Sequence, residues 1–190
     1  MRSKAYLIGI AGGTASGKTT FCGRLEQGLL SSGRRVKVLH LDDYFKPEAQ
    51  RPQSRAPITG TLYVDDNHPE TMELARFRAE TFAACAQQEW DVVIAEGLLT
   101  LWDDQLYEKL DFSLYVDCRA DERVVRRLRR NMEWGLSFDQ VAGVYLDLVR
   151  YRHDEFVEPT KWRADLILNG SRMTENAVEA VIALVANNSK

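Results

Sequence analysis

Residues 12–19 read GGTASGKT, which is GxxxxGK[ST] with Gly12, Gly17, Lys18 and Thr19 at its fixed places. The pattern constrains a fold because it works only at a junction: a buried strand must end just before it and a helix must open from it. Both are written in its flanks. Residues 6–11, YLIGIA, form a short apolar run suited to a strand covered on both faces. From Lys18 onward, Phe21, Cys22, Leu25, Leu29 and Leu30 recur at helical spacing until Ser31, Ser32 and Gly33 close the helix. The glycines let backbone N–H groups approach phosphate oxygens without a Cβ in the way. Lys18 reaches the β and γ phosphates, Thr19 offers a hydroxyl to Mg²⁺, and the helix turns its positive end to the anion. Gly12, Gly13, Thr14, Ala15, Ser16, Gly17, Lys18, Thr19 and Thr20 are thus expected to hold ATP.

The rest of the chain alternates strand-like and helical runs. Strands are expected at 6–11, 36–41, 91–95, 112–116 and 165–168, and helices at 18–32, 68–88, 121–131, 137–157 and 174–186, with a short turn or helix near 103–109. Such alternation implies an α/β fold: a parallel five-stranded sheet with helices on both faces, the three-layer P-loop NTPase arrangement. Ligands on such sheets gather beyond the carboxyl ends of the strands, so the residues that follow each strand carry the functional reading.

The second strand runs into LHLDDYFKP. Asp42, at the strand end, is the candidate base: it can accept the proton of an attacking hydroxyl or help hold the metal. Asp43 and Tyr44 are placed beside the substrate. Residues 46–60 carry Pro47, Pro52 and Pro57 without periodicity and read as a functional or mobile loop. In YVDDNHPETM, Asp65 and Asp66 either cap the next helix or present paired carboxylate oxygens to a vicinal diol. His68 belongs to the helix entrance. The third strand ends in Glu96, which costs desolvation unless it meets a cation or donors. Glu96, with Thr19 and Asp42, makes up the candidate metal set, and Gly97 would let backbone approach a ligand.

Six arginines fall between Arg119 and Arg130. On a helix, Arg119, Arg123, Arg126, Arg127 and Arg130 share an arc of about 100°, with Val124, Val125, Leu128 and Met132 opposite as the packing face. Arg126, Arg127 and Arg130, nearest the break at Trp134 and Gly135, are the candidates for phosphate charge. Ser137 and Gln140 spell a capping box, so 126–140 reads as a helical lid that closes over the substrate. Lys161 touches nucleotide or merely snorkels.

With 190 residues and 45% hydrophobic composition, one domain can bury a sizeable core. A net charge of −3 argues against a nucleic-acid binder. The apolar N-terminal stretch is too short and glycine-broken for a signal peptide, and no run approaches a membrane span. Cys22, Cys85 and Cys118 lack metal spacing and sit in apolar segments, so they read as buried free thiols in a cytoplasmic protein. Self-association is left open. DxxG and NKxD, the marks of GTPase switches, do not occur.

IGIAGGTASGKTT, LHLDDYFKP, DVVIAEGLL, RRNMEWG and EFVEPTKWRADLIL together resemble the uridine kinase and nicotinamide riboside kinase group of P-loop kinases over nearly the whole chain. The resemblance implies that Asp42 faces the substrate hydroxyl, that Glu96 assists at the metal, and that an acid near DDNHP holds ribose hydroxyls. The chain also departs from that group. Residues 69–91 leave room for little besides one helix, so the insert with which uridine kinases read the pyrimidine is absent. Leu136 stands where they place a lid arginine, and Asn67 or Asp65 where they place the ribose aspartate. The expected activity is ATP- and Mg²⁺-dependent phosphorylation of the primary hydroxyl of a nucleoside or riboside. The alternatives are a kinase for another small metabolite (a sugar, pantothenate or a sugar phosphate) and, less in keeping with the motifs, a nucleotide-operated switch.

Overall fold

The computed structural model describes residues 4–188. Its strands are β1 (Tyr6–Gly12), β2 (Val36–His40), β3 (Gln53–Arg55), β4 (Leu62–Val64), β5 (Val92–Glu96), β6 (Phe112–Asp117) and β7 (Leu166–Asn169). Its helices are α1 (Lys18–Ser31), α2 (Leu74–Ala86), α3 (Asp104–Tyr107), α4 (Ala120–Glu133), α5 (Phe138–Val144), α6 (Arg150–Arg152) and α7 (Glu175–Asn188). Five strands form a parallel sheet in the order β2-β5-β1-β6-β7. No helix among the described residues is long and apolar enough to cross a membrane.

β1 lies at the centre of the sheet, and its side chains alternate between two cores. Ile8 and Ile10 meet Leu25 and Leu29 of α1 and Val181 and Val185 of α7. Leu7 and Ala11 meet Phe77 and Cys85 of α2, with Leu99 and Val157. Leu7, Ile8 and Ile10 have no solvent exposure, and each such burial stabilises the fold by about 1.5–3 kcal/mol. β1 is therefore firmly held, and the loop that follows it inherits that rigidity. From β1 the chain goes to β2 and β5 on one side and then crosses to β6 and β7 on the other. The connections thus part at the carboxyl end of β1, where open α/β sheets collect their ligands. All three cysteines are free and buried.

Four features differ from the sequence reading. The loop 46–60 is partly ordered: β3 and β4 pair antiparallel, Gln53 with Val64 through Arg55 with Leu62. The helix expected from residue 68 starts at Leu74, because His68 caps a separate 3-10 turn, Pro69–Thr71, its Nδ1 accepting from the Glu70 amide. The long helix after Ser137 is interrupted by π-helical stretches at Tyr145–Val149 and His153–Val157. The expected packing face of α4 packs only in part: Val124 and Leu128 are half-buried and Val125 and Met132 nearly half exposed, while Arg123 and Asn131 are buried. α4 thus packs against α5 while Arg127 and Arg130 of its polar face reach the phosphate loop.

Candidate active site

The turn after β1 takes the conformation its glycines permit. Gly12 has φ +151° and Gly17 φ +99°, and a Cβ on Gly12 would lie 2.6 Å from the Val116 carbonyl oxygen. No side chain caps α1 and no acid occupies its first turn, so its N-terminal N–H groups and dipole are left for an anion. Thr19 and Thr20 are exposed, while Lys18 is drawn in beneath the loop.

Lys18 is directed to Glu96 at the end of β5. Its Nζ lies 3.9 Å from Glu96 Oε1, to which Thr19 Oγ1 also donates at 3.2 Å. The other carboxylate oxygen, Oε2, lies 2.6 Å from His40 Nδ1. Glu96 is only 4% exposed. Burial pushes its pKa up, but the His40 hydrogen bond and the Lys18 charge outweigh burial and hold it below the ordinary carboxylate value. The same hydrogen bond raises the pKa of His40. A hydroxyl and an ionised carboxylate are hard oxygen donors of the kind that fit Mg²⁺ arriving with phosphate.

β2 delivers the next pair. Leu41 and Tyr44 are buried, which turns Asp42 and Asp43 out to solvent on a 3-10 turn. Both charges contribute to the raised pKa of His40, which places them beside the Glu96 cluster. Tyr44 takes a different position from the one expected of a substrate contact: its hydroxyl donates to Glu80 of α2 at 2.6 Å and its ring packs edge-on to Phe77. Gly97 likewise serves packing, since a Cβ there would lie 2.3 Å from Leu41 Cβ.

The arginines of α4 divide. Arg127 Nη1 donates to Thr14 Oγ1 at 2.9 Å, and Arg130 Nη2 lies 3.5 Å from the same oxygen, so two guanidinium groups converge on the phosphate loop. Burial, then the Arg130 charge, lowers the pKa of Arg127, and its Nε has no hydrogen-bond partner. Arg126 instead donates to the Gly170 carbonyl at 3.0 Å and pairs with Glu122. Gly135 follows α4 with φ +93°, and the capping box of Ser137 and Gln140 opens α5.

Of the two aspartates before the 3-10 turn, Asp65 is wholly buried. Arg152 Nε donates to its Oδ2 at 2.6 Å and the Asn67 amide to its Oδ1 at 3.2 Å. Arg152 also donates to Ser54 Oγ of β3, while Asp147 accepts from Tyr63 of β4 and from Thr59. Asp65 therefore clamps the hairpin to the 145–157 helix, and in this conformation both its oxygens are engaged. Asp66 is half exposed and pairs with Arg51, whose guanidinium lies over the Phe45 ring. Lys161 is held by Asp117 and Glu158. A cleft of about 710 Å³ opens beyond β6 and β7, with Asp117, Cys118, Arg119, Asn169 and Ser171 in its walls.

Residues 67–179 match the Phosphoribulokinase / Uridine kinase family. Over 97% of its length the chain is 32% identical to a uridine kinase of Bacillus pumilus, covering 96% of that protein. It is also 32% identical, over 96% of both chains, to a uridine kinase of Deinococcus deserti. The chain belongs to the phosphoribulokinase/uridine kinase family. It is a phosphotransferase that acts on an alcohol group. Solved structures share the fold at lower identity. A protein from Silicibacter sp. TM1040, provisionally assigned as a fructose transport system kinase, superposes with a TM-score of 0.67 at 19% identity, over 86% of this chain and 89% of that one. A possible uridine kinase from Bacillus stearothermophilus superposes with a TM-score of 0.57 at 20% identity, over 89% and 91% of the two chains.

Within this family framework, sequence reasoning missed His40 as the partner of Glu96, and Arg152 with the clamp it builds on Asp65. His40 carried a faint signal, ending β2 two residues before Asp42. Arg152 carried none, because its partner lies 87 residues away.

Proposed function

We propose that this kinase transfers the γ-phosphate of ATP, with Mg²⁺, to the primary hydroxyl of a nucleoside or related riboside. The observation that carries the reading is the convergence of Lys18, Thr19 and His40 on buried Glu96, with exposed Asp42 two residues beyond His40. A triphosphate seated on the N–H groups of 12–20 would bring its terminal phosphate to Lys18. Thr19 and Glu96, with Asp42 nearby, would hold Mg²⁺, whose contribution is to neutralise phosphate charge. Asp42 accepts the proton of the attacking hydroxyl. Arg127 and Arg130, already on the loop through Thr14, meet the charge that spreads over the transferring phosphoryl group, with Arg126 at the Gly170 side. Residues 126–140 act as the lid, and closure keeps water from competing with the acceptor. The cleft beyond β6 and β7 has room for the donor's base.

On the acceptor side, Asp66 is the carboxylate of the pair with an oxygen free for a diol, and Asp65 fixes the hairpin that brings it there. A second reading, a kinase for another alcohol such as a sugar, draws support from one feature. Between the 3-10 turn and β5 the chain builds only α2, so no insert is present there to read a pyrimidine. An ADP-release assay over a panel of nucleosides, ribosides, sugars, pantothenate and sugar phosphates tests both. Turnover with nucleosides or ribosides is expected. Reaction with non-ribosyl acceptors alone would overturn the first reading in favour of the second.

A further inference from the structure

Arg123 shares the arginine-bearing face of α4, yet its side chain is turned inward and is 5% exposed. Its Nε donates to the Cys118 carbonyl at 3.0 Å, and its Nη1 is buried without a hydrogen-bond partner. Arg119 and Arg126 pair with Asp121 and Glu122, but among the described residues Arg123 forms no ion pair. A Cβ added to Gly13 would meet Arg123 Nη1 at 2.6 Å and His153 Cε1 at 3.0 Å. Both side chains are thus wedged against the phosphate loop. His153 has its Nε2 3.2 Å from Glu158 Oε2, and its Nδ1 is a second buried atom without a partner. Burial, then the Arg123 charge, pushes the His153 pKa down, against the opposing pull of Glu158 and Asp154. A neutral imidazole cannot serve as a second cation, and Glu158 is already shared with Lys161.

A buried guanidinium with no counter-ion in contact is costly, and an anion bound close by would offset that cost. Arg123 lines the cleft beyond β6 and β7 with Asp117, Asp154 and Glu158, none of them within ion-pair distance of it, and its Nη1 packs against Gly13 of a loop shaped for a polyanion. We propose that Arg123 is a positioning residue of the phosphate site: its charge lies against the loop at Gly13, and the bound triphosphate is the counter-anion it lacks. Arg123 does not touch the phosphates. It acts through Gly13, biasing the loop toward the conformation that cradles phosphate and adding a long-range attraction that water cannot screen at a buried site. The inference rests on the ATP reading above.

The test is calorimetric titration with Mg-ATP and, separately, with inorganic tripolyphosphate, which removes any contribution from the base. Wild type is compared with Arg123→Lys, Arg123→Gln and Arg123→Met. Arg123→Gln and Arg123→Met are expected to weaken both ligands by a common factor of about tenfold, while Arg123→Lys recovers most of the loss. The ligand-free melting temperature of the neutral variants is expected to equal or exceed that of wild type, because an uncompensated charge has been removed. Equal affinity in wild type and the neutral variants would overturn the inference and leave the ATP reading standing. So would a ligand-free melting temperature lowered in Arg123→Gln and Arg123→Met alike, with affinity intact, since that marks a packing role. If wild type bound neither ATP nor tripolyphosphate, the ATP reading would fall and the inference with it.

Discussion

The two sides of the candidate site are built by different means. The phosphate side is backbone geometry resting on a sheet: a central strand buried from Leu7 onward, a glycine turn against β6, and a helix N-terminus left uncapped. The proposed acceptor side is a short hairpin and an aspartate-bearing turn, fastened by long-range polar pairs among Asp65, Arg152, Ser54, Asp147 and Tyr63. The first kind of construction is set by neighbours in sequence and cannot drift without unpacking the core. The second depends on a few side chains from distant segments.

Substitutions that strike one side and spare the other test this contrast. Lys18→Met should have the largest effect. It removes the loop's charge and lowers turnover by about 10³-fold, with some loss of melting temperature because buried Glu96 loses one of its partners, while leaving the hairpin unchanged. A hairpin disordered by Lys18→Met, seen as lost amide protection over residues 53–64, would break the separation. Arg127→Ala should lower turnover by about 10²-fold with little change in the acceptor KM, since its contact is with Thr14; an acceptor KM that rises with unchanged kcat would move Arg127 to the other side.

Asp65→Asn acts on the acceptor side through stability. Breaking a buried pair costs about 3 kcal/mol, or roughly 10 °C in Tm for a chain of this size. The variant should melt early and lose acceptor affinity while its Mg-ATP affinity stays within a factor of about two once folded. Unchanged stability would show that the clamp carries no weight. The smallest effect is pH dependence at the His40–Glu96 pair. His40 is raised by its hydrogen bond to Glu96, so its contribution to stability is complete below the unfolded histidine value and is lost as pH climbs through the raised folded value. Glu96 is lowered, so its contribution holds above the unfolded carboxylate value and is lost as pH falls through the lowered one. An NMR titration of the His40 ring should show the upward shift, and Glu96→Gln should abolish it.

The same contrast explains what could be seen before the structure. The sheet, the phosphate loop and the run of Asp42 and Glu96 off strand ends follow local rules: an apolar run, a glycine spacing, an acid at a strand tip. The Ser137–Gln140 capping box was legible for the same reason. β3 and β4 were not, because three-residue strands with one polar face leave too little periodicity to register. Asp65 read as a cap or a diol ligand because its partner Arg152 comes from a segment with no pattern linking the two. The valines of α4 read as core because the 3.6-residue stripe is real, but the stripe is covered only in part: Val124 and Leu128 are half-buried, while Val125 and Met132 stay nearly half exposed. Tyr44 was misplaced for a related reason: local sequence puts it beside Asp42, whereas burial against Phe77 turns it toward α2.

The most direct measurement is a single turnover with γ-labelled ATP on Asp42→Asn, paired with Mg-ATP titration of the same sample. The account predicts triphosphate affinity close to that of wild type and transfer of label slowed by about 10²–10⁴-fold. Transfer at the wild-type rate, or loss of ATP binding together with transfer, would contradict the assignment of a rigid phosphate cradle and a separate proton acceptor at the tip of β2.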